Sequence, residues 1–452
     1  MAVDVAKLNE LAALFAPHAT LYCVGGYVRD GLLGCESSDV DICSKLRVDE
    51  VKTLLAGTGF FVSDKNLRMG TVHISSDGFV AEYTTFRTDS YERASGAHSP
   101  TEVCFTDDIA LDARRRDFKC NAVYKDILSG EIVDPTGGVH DIGNMVLSTA
   151  DSPECVFEAD GLRILRLVRF ASELGFDIES ETLRVAKQNA WRVKDIAVER
   201  IRDELCKIFV SDTAHKSLGL KRAHLRGLNL LDELGLLDLL LPELAALKGV
   251  PQKKKYHLYD VYGHTVKAFE LSPPNLRWIA LLHDLGKPAA LANNGGENMH
   301  GHDEISAELA SGILNRLKFS NADKAHIVAA VRWHMTDLRG DMSKSKLRRF
   351  AVRHSDIMDD LSAFREIDCL ASNGNPPEHN TLREVWDEVR SDGTPLHIKQ
   401  LKVDGNDLIA MGAEREEIGR LLEELFDETV LNPSMNDRDK AISYLKKRLA
   451  KK

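Results

Sequence analysis

At 452 residues the chain is too long for a single hydrophobic core and reads as three or more domains. Its composition is that of a globular protein: 43% of residues are hydrophobic and only 6% aromatic, with many Leu, Ala, Glu and Arg, which favours mostly helical structure. No run is apolar for long enough to span a bilayer, Met1 to His18 has the pattern of an amphipathic helix rather than a signal peptide, and the eight cysteines include no Cys-x-x-Cys pair, which argues against structural zinc and a disulfide framework and makes a reducing cytosol the natural compartment. The net charge of −11 speaks against a nucleic-acid partner on its face, but binding follows the placement of positive charge rather than its sum. Basic clusters do occur, at Arg163, Arg166 and Arg169, at Lys253 to Lys255, at Lys344, Lys346, Arg348 and Arg349, and in the last sixteen residues, where seven basic residues face two acidic ones.

In chain order, Leu21 to Val24 reads as a strand. Gly25-Gly26 is a backbone that can approach a phosphate closely, and Tyr27 to Leu33 reads as a short helix opening behind it, so the stretch has the form of an anion cradle. After a turn at Gly34, Asp39 and Asp41 alternate with Val40 and Ile42. On a strand this puts both carboxylates on one face, about 7 Å apart at their backbones, with the apolar residues in the core. Hard oxygen ligands so placed suit Mg²⁺ holding substrate phosphates. Gly25-Gly26-Tyr27-Val28-Arg29-Asp30, followed nine residues later by Asp39-Val40-Asp41, resembles the signature of the nucleotidyltransferase superfamily, in the class that contains bacterial tRNA CCA-adding enzymes and poly(A) polymerases.

Residues 48 to 89 read as a helix and then paired strands, with Asn66 to Ile74 turning into one strand and Val80 to Arg87 forming its partner. The resemblance implies a third acidic residue from a neighbouring strand, for which Glu82 is the candidate, an exposed strand carboxylate being the other reading. The Gly70-Thr71-Val72 turn is similar to CCA-adding members. Residues 88 to 113, polar and poor in large apolar groups, read as a mobile surface loop. Arg115-Arg116-Asp117-Phe118-Lys119-Cys120-Asn121-Ala122, expected on the helix that follows, resembles the family's Arg-Arg-Asp-Phe-x-x-Asn-Ala motif, which implies that Arg116 and Asp117 contact the ribose and phosphates of the nucleotide. Asp134-Pro135-Thr136-Gly137-Gly138 is a turn by its own chemistry and resembles the family's hinge between head and neck.

Between Phe157 and Phe176, Asp160, Arg163, Arg166 and Arg169 recur at helical spacing beside Leu162, Leu165, Leu167, Val168 and Phe170. The stretch resembles the family's Glu-Asp-x-x-Arg template. This implies that Asp160 accepts from the exocyclic amine of C or A while Arg163 donates to the ring, so that a base is chosen without a nucleic-acid template. The leading Glu of that template is Ala159 here, and whatever it stabilises must be supplied otherwise. Glu199 to Leu205 resembles the last head-and-neck motif, expected to brace the base-reading helix, and the Leu-rich stretch to about residue 250, with Gly227 and Gly235 as helix ends, reads as a helical body.

A second constellation follows. His264, His283-Asp284 at the end of a Leu-rich helix, His302, His334 and Asp368 have the pattern of a transition-metal site and resemble an HD phosphohydrolase domain. That implies a metal used either for phosphodiesterase or phosphatase chemistry or for structure alone. Residues 398 to 431 and the basic terminus resemble the tail that grips the tRNA elbow.

The expected fold is α+β: a small mixed-sheet nucleotidyltransferase head at 1–150, then a helical neck at 151–212, body at 213–255, HD domain at 256–375 and tail at 376–452. The implied activity is template-independent restoration of the 3′-terminal CCA of tRNA from CTP and ATP. Asp39 and Asp41 would hold Mg²⁺, Gly26 and Arg29 would cradle the triphosphate, and Arg116, Asp117, Asp160, Arg163, Arg166 and Arg169 would bind the rest of the nucleotide. The partners are the tRNA 3′ end with its acceptor and elbow, CTP and ATP, with no membrane. CC-only addition, A-only addition, poly(A) polymerisation, and a chain acting through its HD domain or by RNA binding alone remain the alternative readings.

Overall fold

A computed structural model describes residues 3–37, 39–90 and 102–450, which form two compact units, Met1–Pro242 and Glu243–Lys452. The first unit opens with α1 (Val5–Phe15), whose Leu8, Leu11, Ala12 and Phe15 are buried along one stripe and whose first turn is capped by Asp4, accepting from the Lys7 N–H at 3.1 Å. Next come β1 (Tyr22–Val24), α2 (Gly26–Leu32), β2 (Asp41–Ser44) and α3 (Val48–Leu55). They are followed by β3 (Phe61–Asn66), β4 (Thr71–Ser76), β5 (Phe79–Thr85), the ribbon of β6 (Arg87–Ser90) with β7 (Glu102–Phe105), and α4 (Ile109–Arg114). Strands β8 (Tyr124–Asp126) and β9 (Ile132–Val133) complete a seven-stranded sheet in the order β3-β4-β5-β2-β1-β8-β9. Only β2 and β5 in it run parallel, so the sheet is mixed, as expected.

Helices then take over: α5 (Gly138–Asn144), α6 (Pro153–Ala159), α7 (Leu162–Leu174), α8 (Ser180–Asn189), α9 (Val198–Phe209), α10 (Ala223–Glu233) and α11 (Leu236–Leu240), with β10 (Val146–Leu147) and β11 (Asp177–Ile178) as a short parallel pair. Helix α7 buries most of its circumference, leaving Arg163, Arg166 and Arg169 as its polar strip.

Three local expectations are corrected. Residues 91–101 of the expected loop lie outside the described residues, but its flanks are the β6–β7 ribbon and α4. Composition misleads here because Arg87 and Asp112 are buried: Arg87 bonds Asp89 and the Met69 carbonyl, and its own N–H is held by Asp112. The Arg115–Ala122 motif is not helical. Phe118 is extended, bridging Thr149, and only Lys119–Asn121 makes a short 3₁₀ turn. Gly227 lies inside α10 rather than ending it, where a Cβ would sit 2.5 Å from the Ile208 side chain, so its glycine serves helix packing. Gly235, with φ of 73°, does end that helix.

Helix α12 (Pro242–Ala245) falls at the boundary. The second unit is all helical: α13 (Val261–Leu271), α14 (Arg277–Leu282), α15 (Lys287–Asn293), α16 (His302–Arg316), α17 (Asn321–Trp333), α18 (Lys344–Arg353), α19 (Met358–Asn373), α20 (Thr381–Ser391), α21 (Gly405–Ala410), α22 (Arg415–Leu431) and α23 (Arg438–Leu449). Helices α18 to α20 share one core with Val430 of α22, and α21 to α23 close a second around Leu408, Leu425 and Leu445. Among the described residues no helix is long and apolar enough to cross a membrane.

Candidate active site and metal cluster

The alternation at β2 is as expected: Asp39 and Asp41 are exposed, while Val40 and Ile42 are 4% and 1% exposed. Asp41 is the Cα partner of Glu82 on the parallel neighbour β5, and Glu82 in turn pairs with Lys65. The protein crowded around the Asp41 carboxyl pushes its pKa up, Glu82 and Asp39 push the same way, and Arg116 partly offsets them. Glycine is required beside it. Gly25 has φ of 76°, and a Cβ there would lie 3.3 Å from Asp41 Oδ2, so the turn into α2 can lean on the carboxylate only without a side chain.

The arginine-rich wall is assembled from four places. Arg29, 5% exposed, donates to Asp30 at 2.7 and 2.8 Å and to Asn121 Oδ1 at 2.7 Å. Arg115 donates to Asp112 Oδ1 at 2.8 Å; Arg116 reaches Asp112 Oδ2 at 3.2 Å and the Tyr124 hydroxyl at 3.1 Å, and that hydroxyl donates to Asp112 at 2.7 Å. Burial alone would raise the Asp112 carboxyl, but Arg115, Arg116, Tyr124 and the Arg87 N–H outweigh it and bring it down to about 2. Asp117 accepts from the Phe118 N–H at 2.8 Å, from Asn121 at 3.1 Å and from Arg166 at 2.7 Å; against the burial, Arg166 and Arg163 hold it well below the usual carboxylate range. Gly138 supports this turn from behind. A Cβ there would meet the Lys119 carbonyl at 2.1 Å, and Asp134 caps the segment by accepting from the N–H groups of Gly137, Gly138 and Val139.

Asp160 is not inside a helix. Its φ of −150° and ψ of 109° separate α6 from α7, and its Oδ1 accepts from the Leu162 N–H at 2.9 Å. Arg163 donates to the carbonyls of Arg115 at 2.6 Å and Val156 at 3.4 Å, so backbone oxygens hold the guanidinium of a template whose Glu is replaced by Ala159. Arg169 is turned away from this wall and tied to Glu204 at 2.7 Å and Glu173 at 3.5 Å.

One cavity of about 440 Å³ collects these groups. Gly26, Arg29, Asp41, Arg116, Asp117, Asp160, Arg163 and Arg166 line it, together with Gly25. Asp39 and Arg169 do not. Five further lining residues were not singled out from sequence as binding groups: Arg115, Asn121, Leu162, Phe170 and Arg200. Arg115 and Asn121 were visible as letters of the motif, and Arg200 as part of the motif expected only to brace. Glu204 of that motif does brace, through Arg169, while Arg200 reaches Asp160 Oδ2 at 3.1 Å.

All six expected HD residues converge in the second unit. His264 Nε2 lies 3.1 Å from His283 Nε2 and 3.0 Å from Asp368 Oδ1, and His283 Nε2 lies 3.1 Å from Asp284 Oδ2. His302 and His334 approach Asp284 Oδ1 at 3.3 and 3.9 Å. Asp284 thus joins two groups of three potential ligands, and among the described residues these are the tight clusters; Asp41 and Glu82 are partners across β2 and β5, with Asp39 just before β2, without closing into one. Nδ1 of His283, His302 and His334 lies 2.8, 2.9 and 2.6 Å from the carbonyls of Ala280, Met299 and Val331. Donation there leaves Nε2 as a lone pair facing the cluster, and the Nε2 atoms of His302 and His334 are buried without a hydrogen bond. Burial would raise the Asp284 carboxyl, but His283 and Lys287 hold it well below its usual range; burial, with His283 and His302, brings His334 down to about 4. Imidazole nitrogens and carboxylate oxygens that converge in this way fit a divalent metal ion. A cavity of about 840 Å³, with Asp284, Lys287, His302, His334 and Asp368 among its lining residues, opens onto the cluster.

Comparison with known proteins matches three domains along the chain. Residues 21–148 match the poly A polymerase head domain, residues 175–248 the probable RNA- and SrmB-binding site of polymerase A, and residues 256–368 the HD domain. The chain is 33% identical over 376 residues to an A-adding tRNA nucleotidyltransferase of Deinococcus radiodurans, covering 80% of this chain and 78% of that protein. It is 30% identical over 395 residues to a CCA-adding enzyme of Geobacillus sp. (strain WCH70), covering 86% and 82%. The chain belongs to the tRNA nucleotidyltransferase family. It is therefore an enzyme, and tRNA nucleotidyltransferases of this build unite two domain types that generally use divalent metals. The fold is also that of the Bacillus stearothermophilus CCA-adding enzyme solved in complex with CTP, at a TM-score of 0.66 and 23% identity over 100% of this chain and 99% of that one.

Proposed function

We propose that this chain adds the 3′-terminal CCA of tRNA from CTP and ATP without a nucleic-acid template, releasing pyrophosphate. The observation that carries the reading is the single cavity in which Asp41, at the metal-binding strand, and Asp160 with Arg163, the base-reading pair, are joined by an arginine-lined wall. Asp39 and Asp41 would hold Mg²⁺, which when bound supplies Lewis-acid activation and charge neutralisation. The tRNA 3′-hydroxyl releases its proton to solvent as its oxygen bonds to the α-phosphorus and the bond to pyrophosphate breaks, and the protein's contribution is position and charge. Gly25 and Gly26 let the triphosphate approach the backbone. Arg29, Arg116 and Arg166 supply donors around it, Asp117 holds Arg166 in place, and Asp160 and Arg163 offer an acceptor and donors to the base edge.

The division into head (1–150), neck (151–212), body (213–255), HD domain (256–375) and tail (376–452) is proposed with this activity, as is grip of the tRNA elbow by the tail. The cytoplasm is the proposed compartment, in keeping with eight free cysteines. For the HD cluster we propose a transition metal and metal-dependent phosphodiesterase or phosphatase chemistry, supported by the four buried histidines around Asp284 and the partly buried Asp368 beside them. A-only addition is the second reading, favoured by the 33% identity to an A-adding enzyme.

The test is incorporation on three tRNA transcripts ending at the discriminator base, at C and at CC, with CTP and ATP supplied singly and together. Completion to CCA followed by a stop supports the proposal. A alone on the CC transcript selects the second reading, and silence on all three refutes both. Asp41→Asn should abolish incorporation, and unchanged activity in that variant would remove Asp41 from the catalytic centre.

A further inference from the structure

Asp160 can read a base only if its carboxylate is presented in one orientation, and the structure shows what sets that orientation. One oxygen is fixed locally, Oδ1 accepting the Leu162 N–H at 2.9 Å in the break between α6 and α7. The other is fixed from a distant element. Arg200, in the first turn of α9, places Nη2 3.1 Å from Oδ2, and both side chains line the nucleotide cavity. A carboxylate held at both oxygens by two donors cannot rotate about its Cβ–Cγ bond without losing one of them. The carboxylate so held lines the cavity, where a ligand can meet it.

An acceptor-only group in fixed position meets the exocyclic amine of C or A and opposes the carbonyl oxygen that U or G presents at the same place. We infer that Arg200 is a specificity-determining positioning residue: its clamp on Asp160 is what converts that carboxylate into a selector for amino bases over keto bases. The inference rests on Asp160 reading the base, as proposed above. Arg200 is separable from general bracing of α7 by α9, because that role has its own contact, Arg169 to Glu204 at 2.7 Å, with Glu204 itself 5% exposed. Removing the Arg200 side chain, which is 43% exposed, leaves that buried pair intact.

The experiment measures kcat/KM of the full-length enzyme for CTP against UTP on a tRNA transcript lacking CCA, and for ATP against GTP on one ending in CC. Variants are Arg200→Ala, Arg200→Lys and Asp160→Asn. Arg200→Ala should lower the amino-over-keto preference by about tenfold, and Arg200→Lys, which keeps a donor but loses the planar fork, should recover part of it. A merely structural role would reduce the use of CTP and UTP together and leave their ratio unchanged. That result, with a shifted ratio in Asp160→Asn, overturns the inference while leaving the base-reading assignment standing. An unchanged ratio in Asp160→Asn overturns both. If Arg200→Ala fails to fold, Arg200→Met decides, since it keeps the length and removes every donor, and an unchanged ratio there at normal thermal stability refutes the clamp.

Discussion

Asp112 binds no substrate in any reading of the site, yet the arginine wall depends on it. It is fully buried in α4 and accepts from the Arg87 N–H, Arg115, Arg116 and the Tyr124 hydroxyl. Its carboxyl falls from an ordinary 3.8 to about 2 in the folded chain. At 1.36 kcal/mol per unit this makes ionised Asp112 worth about 2 kcal/mol to folding. Because the folded value is the lower one, the contribution is complete above the unfolded value of 3.8. It drops to about 1 kcal/mol at pH 3 and is lost as the pH passes below about 2. Asp112→Asn keeps the shape and removes the charge, so it should destabilise the first unit by at least about 2 kcal/mol at pH 7 and by roughly half as much at pH 3. Urea titrations followed by hydrogen exchange in peptides from β1 and α4 report that unit separately from the second. A penalty equal at pH 7 and pH 3 would show that charge pairing is not what Asp112 provides, and a penalty below 0.5 kcal/mol at pH 7, about the size of an ordinary surface substitution, would refute the argument altogether.

Gly25→Ala forces a side chain into a backbone with φ of 76° and against Asp41 Oδ2 at 3.3 Å. It should cut kcat/KM for nucleotide addition by at least about tenfold while costing about 1 kcal/mol or more of stability, and steady-state kinetics with a thermal melt would separate the two effects. In the second unit, Mn²⁺, Co²⁺ or Zn²⁺ added to chelator-treated protein should raise the unfolding midpoint, because binding relieves the converging lone pairs of His302 and His334. His283→Ala should remove that rise, which differential scanning calorimetry would detect.

What the sequence made legible was local and periodic. The alternation of Asp39 to Ile42 needs only a period of two, and the convergence of His264, His283, Asp284, His302, His334 and Asp368 follows from residue types that seldom cluster without a metal. The misses arise where tertiary contacts override local pattern. The spacing of three from Asp160 to Arg169 looks like one continuous helix, because a break of one residue at Asp160 leaves the later positions in phase. Residues 88 to 113 looked like a solvated loop because composition counts Asp89 and Asp112 as surface groups, whereas Asp89 pairs with Arg87 and Asp112 is buried against Arg115 and the Arg87 N–H. Arg115 to Asp117 left the expected helix because Phe118 is fully buried, edge-on to Phe170 at 5.8 Å, and pairs with residue 149 in an extended conformation. Arg200 was legible only as part of a motif expected to brace, because nothing in the local pattern signals its pairing with Asp160.

The charge arrangement explains how a chain of net charge −11 can serve an anionic substrate. The guanidinium groups of Arg29, Arg166 and Arg169 lie 5.1, 5.1 and 4.2 Å from the centre of the Phe170 ring, and each is matched by a carboxylate, Asp30, Asp117 or Glu204. Three cations around one aromatic ring would repel one another if they were unmatched, so the acids hold Arg29 and Arg166 in the wall, and Arg169 behind it, before a nucleotide arrives. A guanidinium has five donors, and a carboxylate uses only some of them; the remainder can serve phosphate without any arginine moving. Substrate then meets donors already oriented, and the reorganisation that free side chains would undergo has been completed during folding. Removing one of these acids leaves an unbalanced guanidinium, so such variants should lose stability and nucleotide affinity together, whereas Arg200, 43% exposed where it meets Asp160, can be changed chiefly for its effect on selectivity.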